Sequence, residues 1–271
     1  MNPALQLNEV GQALWLDNIT RGLLTSGTLE KYIRDYDLKG LTSNPSIFEA
    51  AIHGADFYDK AILERSAAGE AGEALFLELA LEDLRAAADL FLPMYKASQG
   101  HDGWVSMEVS PLLVHDADGT LREAKTLHER LDRPNAFIKI PGTPEGVKAI
   151  EEAIFAGIPV NVTLLFSREH YLAAAEAYLC GIERRIEAGL DPKVASVASI
   201  FVSRWDTAVK DKGPEGSNNT LGIAMARRTY VAYRELLASQ RWKLLAEKGA
   251  LPQRLLWAST GTKDPAASDV L

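Results

Sequence analysis

Cysteine is nearly absent from this 271-residue sequence: Cys180 stands alone, so no internal disulfide can form, and a reducing, cytoplasmic setting fits. It lies in AEAYLCGIERR, a stretch of helical period with no His or Asp beside it, and reads as a packed thiol. No apolar run approaches the length of a membrane span. The N-terminus MNPALQLNEVGQALWLD lacks the basic stretch followed by an apolar one that marks a signal peptide. His53, His101, His115, His128 and His170 form neither H-x-x-H nor H-E-x-x-H, and without a cysteine cluster no metal site is expected. There is no Walker A sequence, and ALWLDNITRGLLTSG carries no G-x-G-x-x-G of the kind a dinucleotide-binding sheet places after its first strand. Basic residues are in deficit, 29 Lys+Arg against 37 Asp+Glu, a formal charge of −8. That argues against nucleic acid or an acidic membrane as partner, and an anionic ligand must be held by a local site. No low-complexity linker interrupts the chain, so 1–271 reads as a single domain, with DKGPEGSNNT (211–220) its best loop.

What is present alternates. Short apolar runs occur at 13–17, 40–43, 104–109, 136–140, 159–166, 195–202 and 254–259. Several are apolar nearly throughout, as parallel strands covered on both faces should be. Between them the helical period appears at Thr28–Tyr36, Phe76–Leu92, Leu121–Leu131, Glu145–Phe155, Arg168–Ala188 and Leu221–Ala238, with Thr143 before Pro144 and Ser167 placed as N-caps. Trp15, Trp104, Trp205, Trp242 and Trp257 are scattered and read as packing. Repeated βα units imply an α/β fold, and polar residues at nearly every strand end favour a (β/α)8 TIM-type barrel over a doubly wound sheet. Only seven strands can be counted, so the eighth βα unit is missing from this chain and the barrel reads as C-terminally incomplete. Such a barrel would expose edges on its first and last strands and remove packing behind Asp17.

The strand ends carry the chemistry. Lys139 sits in AFIKI, where an amine among apolar neighbours is either a snorkelling lysine or a desolvated nucleophile suited to a Schiff base. Asp17 ends the first strand and reads equally as a proton-transfer group or as a helix cap. In VSMEVSP, alternation puts Ser106, Glu108 and Ser110 on one face, and an inward Glu108 needs a partner such as a lysine in the same mouth. In PVNVTLLF, Asn161 and Thr163 share a face opposite Val160, Val162 and Leu164; they are either a core hydrogen-bonded pair or ligands for a hydroxyl or a water. Asn44, before Pro45, makes an Asx turn or offers its amide to a polyol. Ser199 and Arg204 in SIFVSRWD could hold a phosphate, with a surface ion pair as the plainer reading of Arg204. Lys263, after the seventh strand, occupies a region where barrels commonly bind phosphate.

Taken together, LWLD (Asp17), GLTSNPSIF (Asn44), VSMEVSP (Glu108), FIKIPGT (Lys139), NVTLLFS (Asn161, Thr163) and SIFVSR (Ser199, Arg204) resemble, in that order, the transaldolases, and more closely the bacterial branch with the GLTSNPSIF and IKIPGT forms. The resemblance spans roughly residues 13–263. It implies a class I aldolase barrel of the non-oxidative pentose phosphate pathway, with no metal and no organic cofactor. A dihydroxyacetone unit would pass from sedoheptulose 7-phosphate or fructose 6-phosphate to glyceraldehyde 3-phosphate or erythrose 4-phosphate. It implies Lys139 as the Schiff-base nucleophile, Asp17 as the proton acceptor at C–C cleavage, and Glu108 with Thr163 as holders of a water. It further implies Asn44 and Asn161 as hydroxyl ligands, and Ser199, Arg204 and Lys263 around the phosphate. Phe201 stands where the family has an aromatic, and its lack of a hydroxyl suits transfer. Two rivals remain: a free fructose 6-phosphate aldolase, which calls for a hydroxyl donor at position 201, and an inactive truncated barrel. Oligomeric state does not follow from these residues.

Overall fold

The computed structural model describes residues 2–54, 56–210, 212 and 219–262. The chain forms two compact units: one from the residues up to Glu108 with Thr126–Ile138, the other from Val109–Lys125 and the residues from Lys139 onward.

The first unit runs α1 (Pro3–Glu9), β1 (Trp15–Asp17), α2 (Arg21–Thr25), α3 (Thr28–Tyr36), β2 (Gly40–Thr42), α4 (Pro45–His53), a 3-10 turn at Asp56–Tyr58, α5 (Asp59–Ala67), α6 (Gly72–Ala97) and β3 (Trp104–Glu108). It also holds the end of α7 (Ala117–Leu131) and the start of β4 (Ala136–Pro141). β1, β2 and β3 pair in parallel with Trp15 level with Gly40 and Gly40 level with Trp104. The Val105 N–H donates to Asn135 O, at the approach to β4. The Trp15 ring crosses β2 at Gly40, where a Cβ would meet it at 2.5 Å. Trp15, Phe137 and Trp104 stack in series, with centroids 6.3 and 4.1 Å apart. The packing role read for Trp15 and Trp104 is this stack.

The second unit contains the end of β4, then α8 (Pro144–Phe155), β5 (Val160–Leu165), α9 (Arg168–Glu187), β6 (Ser196–Phe201), α10 (Ser203–Val209), α11 (Leu221–Ala238), α12 (Gln240–Glu247) and β7 (Arg254–Ala258). β5, β6 and β7 are parallel neighbours in chain order. Parallel strands adjacent in chain order, with helices between them, are the TIM-type α/β arrangement, and it reaches seven strands among the described residues. No eighth βα unit follows among them. β4 is buried along its whole length, whereas β1 and β7 are not. Among the described residues, no helix is long and apolar enough to cross a membrane.

The seven apolar runs all become strands. Thr143 and Ser167 cap α8 and α9, accepting from the N–H of Gly146 and His170 at 3.0 and 3.1 Å. Three expectations change. The helix read at Phe76–Leu92 runs from Gly72 to Ala97 and passes through Pro93, which has no N–H to donate to the carbonyl of Asp89 four residues before it. Helices α1, α2, α4, α5, α10 and α12 were not anticipated; most are short. Leu164 does not continue the face of Val160 and Val162: β5 shifts register between Val162 and Leu165, Leu164 takes φ +58°, and it is exposed. A bulge adds one residue, so Leu165 takes the buried position. The loop read at 211–220 lies outside the described residues except for Lys212, Asn219 and Thr220.

Candidate active site

In the first unit the polar strand ends converge. Asp17 ends β1 level with Thr42, and Thr42 is level with Ser106. Asn44 follows β2 in extended backbone and caps α4, its Oδ1 accepting the Ile47 N–H at 3.0 Å, with Pro45 in the first turn. The side chain thus acts as a helix cap to the N–H three residues on, rather than closing the Asx turn read from the sequence. The bond engages the amide oxygen; the Nδ2 end carries the donors. Asp17 and Asn44 line one open cavity of about 480 Å³ with Asn18, Thr20, Ser46 and Ile47. Asn18, Thr20 and Ser46 were not singled out from the sequence, although Ser46 lies within GLTSNPSIF and Asn18 directly follows LWLD. Glu108 closes β3 half-buried, and its same-face neighbour Ser106 is fully buried, with the Ser106 carbonyl accepting from Ser43 Oγ at 2.8 Å.

In the second unit Lys139 is 6% exposed, in a strand whose Ile140 is fully buried. Its carbonyl accepts the Val109 N–H at 3.1 Å. After β4 the chain turns at Gly142, whose N–H donates to Thr163 O at 2.8 Å and whose Cβ, were there one, would strike Leu165 Cδ2 at 2.3 Å. Thr143 then caps α8 and donates its own hydroxyl to Val114 O at 3.1 Å. Gly142 and Thr143 thus fix the backbone just beyond Lys139.

Asn161 and Thr163 are buried in β5, as their apolar surroundings required. Ser199 Oγ donates to Asn161 Oδ1 at 2.7 Å. The sequence pattern pairs Asn161 with Thr163; the bond formed is instead to Ser199, whose single proton goes to it. Phe201, at the end of β6, tilts against Phe166 with centroids 5.3 Å apart. Trp205 Nε1 donates to the Phe166 carbonyl. Arg204 is exposed in the first turn of α10 and makes no ion pair among the described residues, so the plainer reading given to it does not apply within them. Lys263 lies outside the described residues.

Cys180 behaves as the packed thiol expected. Burial, with Glu176 accepting from it, pushes its pKa up, the wrong direction for a thiolate nucleophile.

Residues 14–271 match the family described as Transaldolase/Fructose-6-phosphate aldolase. Curated relatives include the transaldolase of Arthrobacter sp., 46% identical over 99% of this chain and 75% of the relative. The transaldolase of Trichodesmium erythraeum is 42% identical over 100% of this chain and 75% of the relative. That of Thermobifida fusca is 44% identical over 100% of this chain and 76% of the relative.

Proposed function

The chain belongs to the transaldolase/fructose-6-phosphate aldolase family, and from that premise we propose that it moves a dihydroxyacetone unit between sugar phosphates through a Schiff base on Lys139. The observation that carries the reading is Lys139 itself: an amine 6% exposed, in a strand buried from end to end. A cation is rarely placed there without a use.

Lys139 Nζ attacks the C2 carbonyl of a ketose phosphate such as fructose 6-phosphate. The carbinolamine loses water to give an iminium, which draws electrons from the C3–C4 bond. Asp17 takes the C4 hydroxyl proton, the bond breaks, and an aldose phosphate leaves. The enamine on Lys139 then attacks the aldehyde of the acceptor, and Asp17 returns a proton to the new alkoxide. Hydrolysis of the product iminium frees the lysine. Glu108 and Thr163 hold the water that moves protons as the carbinolamine forms and collapses. Asn44 and Asn161 bind hydroxyls of the three-carbon unit; Asn44 does so from the cavity it shares with Asp17. Arg204 and Lys263 hold the phosphate. Ser199 can join them only by turning its proton away from Asn161; while that bond is kept, it orients the Asn161 amide. Phe201 presents a ring and no hydroxyl, so it cannot help a water protonate the enamine before the acceptor arrives. This favours transfer over free aldol cleavage.

The test is borohydride reduction in the presence of fructose 6-phosphate, followed by peptide mapping. The label is expected on Lys139, and Lys139→Ala should lose both the label and turnover. A label on another lysine, or wild-type turnover in Lys139→Ala, overturns the reading.

A further inference from the structure

We propose that Tyr58 and Asp83 are positioning residues for Asp17, fastening the turn that carries it. The inference rests on Asp17 acting as the proton acceptor described above. Asp17 is followed by exposed Asn18, by fully buried Ile19, and by Thr20 and Arg21 at the start of α2. Arg21 is the point of attachment. Its backbone N–H donates to Tyr58 Oη at 2.9 Å, and its Nε donates to Asp83 Oδ1 at 2.8 Å. Tyr58 donates its own proton to Asp83 Oδ2 at 2.7 Å. The Tyr58 ring lies 4.7 Å from the guanidinium carbon, and Arg21 Nη2 also reaches Glu82 at 2.9 Å. The bonds form a closed ring through backbone, phenol, carboxylate and guanidinium.

Tyr58 is 1% and Asp83 2% exposed. Burial pushes both the phenol and the carboxyl of these residues up, which measures how unfavourable the location is for charge. Apolar side chains of similar volume commonly fill such a space without loss of stability. They could not hold a particular backbone N–H of the turn at hydrogen-bonding distance. Asp83 is supplied by the long helix α6 and Tyr58 by the 3-10 turn before α5, so the ring ties the turn after β1 to two separate elements. With Ile19 anchored in the core, a shift at Arg21 has little slack before it reaches Asp17.

The deciding variant is Tyr58→Phe, which keeps the ring against Arg21 and removes both hydrogen bonds. Turnover from fructose 6-phosphate to erythrose 4-phosphate is measured beside the borohydride label on Lys139. Schiff-base formation does not use Asp17, so the label should reach the wild-type extent while turnover falls by about ten- to a hundredfold. Arg65→Met, which breaks outer ion pairs with Glu70 and Glu82 without touching the ring, should stay within about twofold of wild type. If Tyr58→Phe does not fold, Asp83→Asn is put to the same comparison and must give the same split. Wild-type turnover in a folded variant overturns the positioning role and leaves the lysine chemistry standing. Parallel loss of label and turnover also overturns it, because the defect is then general. No label on Lys139 in the wild type overturns both readings.

Discussion

Replacing Gly146 with alanine sets two effects of opposite sign against each other. Gly146 lies in the first turn of α8, where it donates its N–H to Thr143. Helix propensity alone predicts that alanine stabilises such a position by about 1 kcal/mol. The surroundings predict the reverse. A Cβ at Gly146 would sit 1.8 Å from the carbonyl oxygen of Pro141 and 3.1 Å from Thr143 Oγ1. An ordinary carbon–oxygen contact is no closer than roughly 3.3 Å, so the start of α8 or the end of β4 must move by more than an ångström. Overpacking of this kind costs about 1–3 kcal/mol, and more where backbone rather than a side chain must yield. Sterics therefore wins. At roughly 2–4 °C per kcal/mol for a domain near this size, the thermal midpoint should fall by a few degrees. Pro141 ends the strand that carries Lys139, and a displacement near 1 Å in a catalytic group can cost about a hundredfold in rate. Thermal denaturation by circular dichroism, with turnover on the same preparation, measures both. A midpoint that rises, with turnover unchanged, would refute the close approach of α8 to β4 and the rigidity argued for the turn after Lys139.

The acid limb of stability should depend on His128. Its Nδ1 is buried without a hydrogen-bond partner among the described residues, and burial lowers its pKa against the weaker opposing pull of Glu129. A base with a depressed folded pKa contributes its stability in full above the ordinary histidine value of about 6.5 and loses it as pH falls through the folded value. Urea denaturation at pH values above and below that point should show a larger acid loss in the wild type than in His128→Gln; equal losses would remove His128 from the account. Phe201→Tyr places a phenol at the end of β6 beside Phe166. It should raise the release of free dihydroxyacetone from fructose 6-phosphate relative to transfer, read by coupled assay, and an unchanged ratio would mean that position 201 does not control the fate of the enamine.

The fold was legible wherever one strand's residues carried the signal. AFIKI and PVNVTLLF are apolar enough to be strands by themselves, and Thr143-Pro144 and Ser167 announce their helices. Leu164 was not legible, because alternation assumes a regular strand and the bulge that turns Leu164 outward is a property of the β5–β6 pair. The site was legible as a set of polar residues at strand ends, but the bonding among them was not. Ser199 and Asn161 are 38 residues apart and meet only through strand register. Tyr58 and Asp83 gave even less warning. The one sign was a carboxylate, Asp83, between Leu81 and Leu84 on a helix face that is otherwise apolar, with a partner that only the tertiary structure brings to it.

The caps carry a consequence for the electric field. Asn44 begins α4 directly after β2, Thr143 begins α8 after β4, and Ser167 begins α9 after β5. Each places a helix N-terminus at the end of a strand, where aligned peptide dipoles amount to roughly half a positive charge. The sequence as a whole is an anion, with a formal charge of −8. A sugar phosphate approaching it meets net repulsion at a distance, which salt screens beyond about 10 Å. Close in, at the strand ends, it meets amide dipoles whose sign is set by the direction of the chain. Part of the attraction for a sugar phosphate is thus a short-range property of the backbone, beside the charges of Arg204 and Lys263, and that part should survive surface-charge changes elsewhere that alter the pI of the whole molecule.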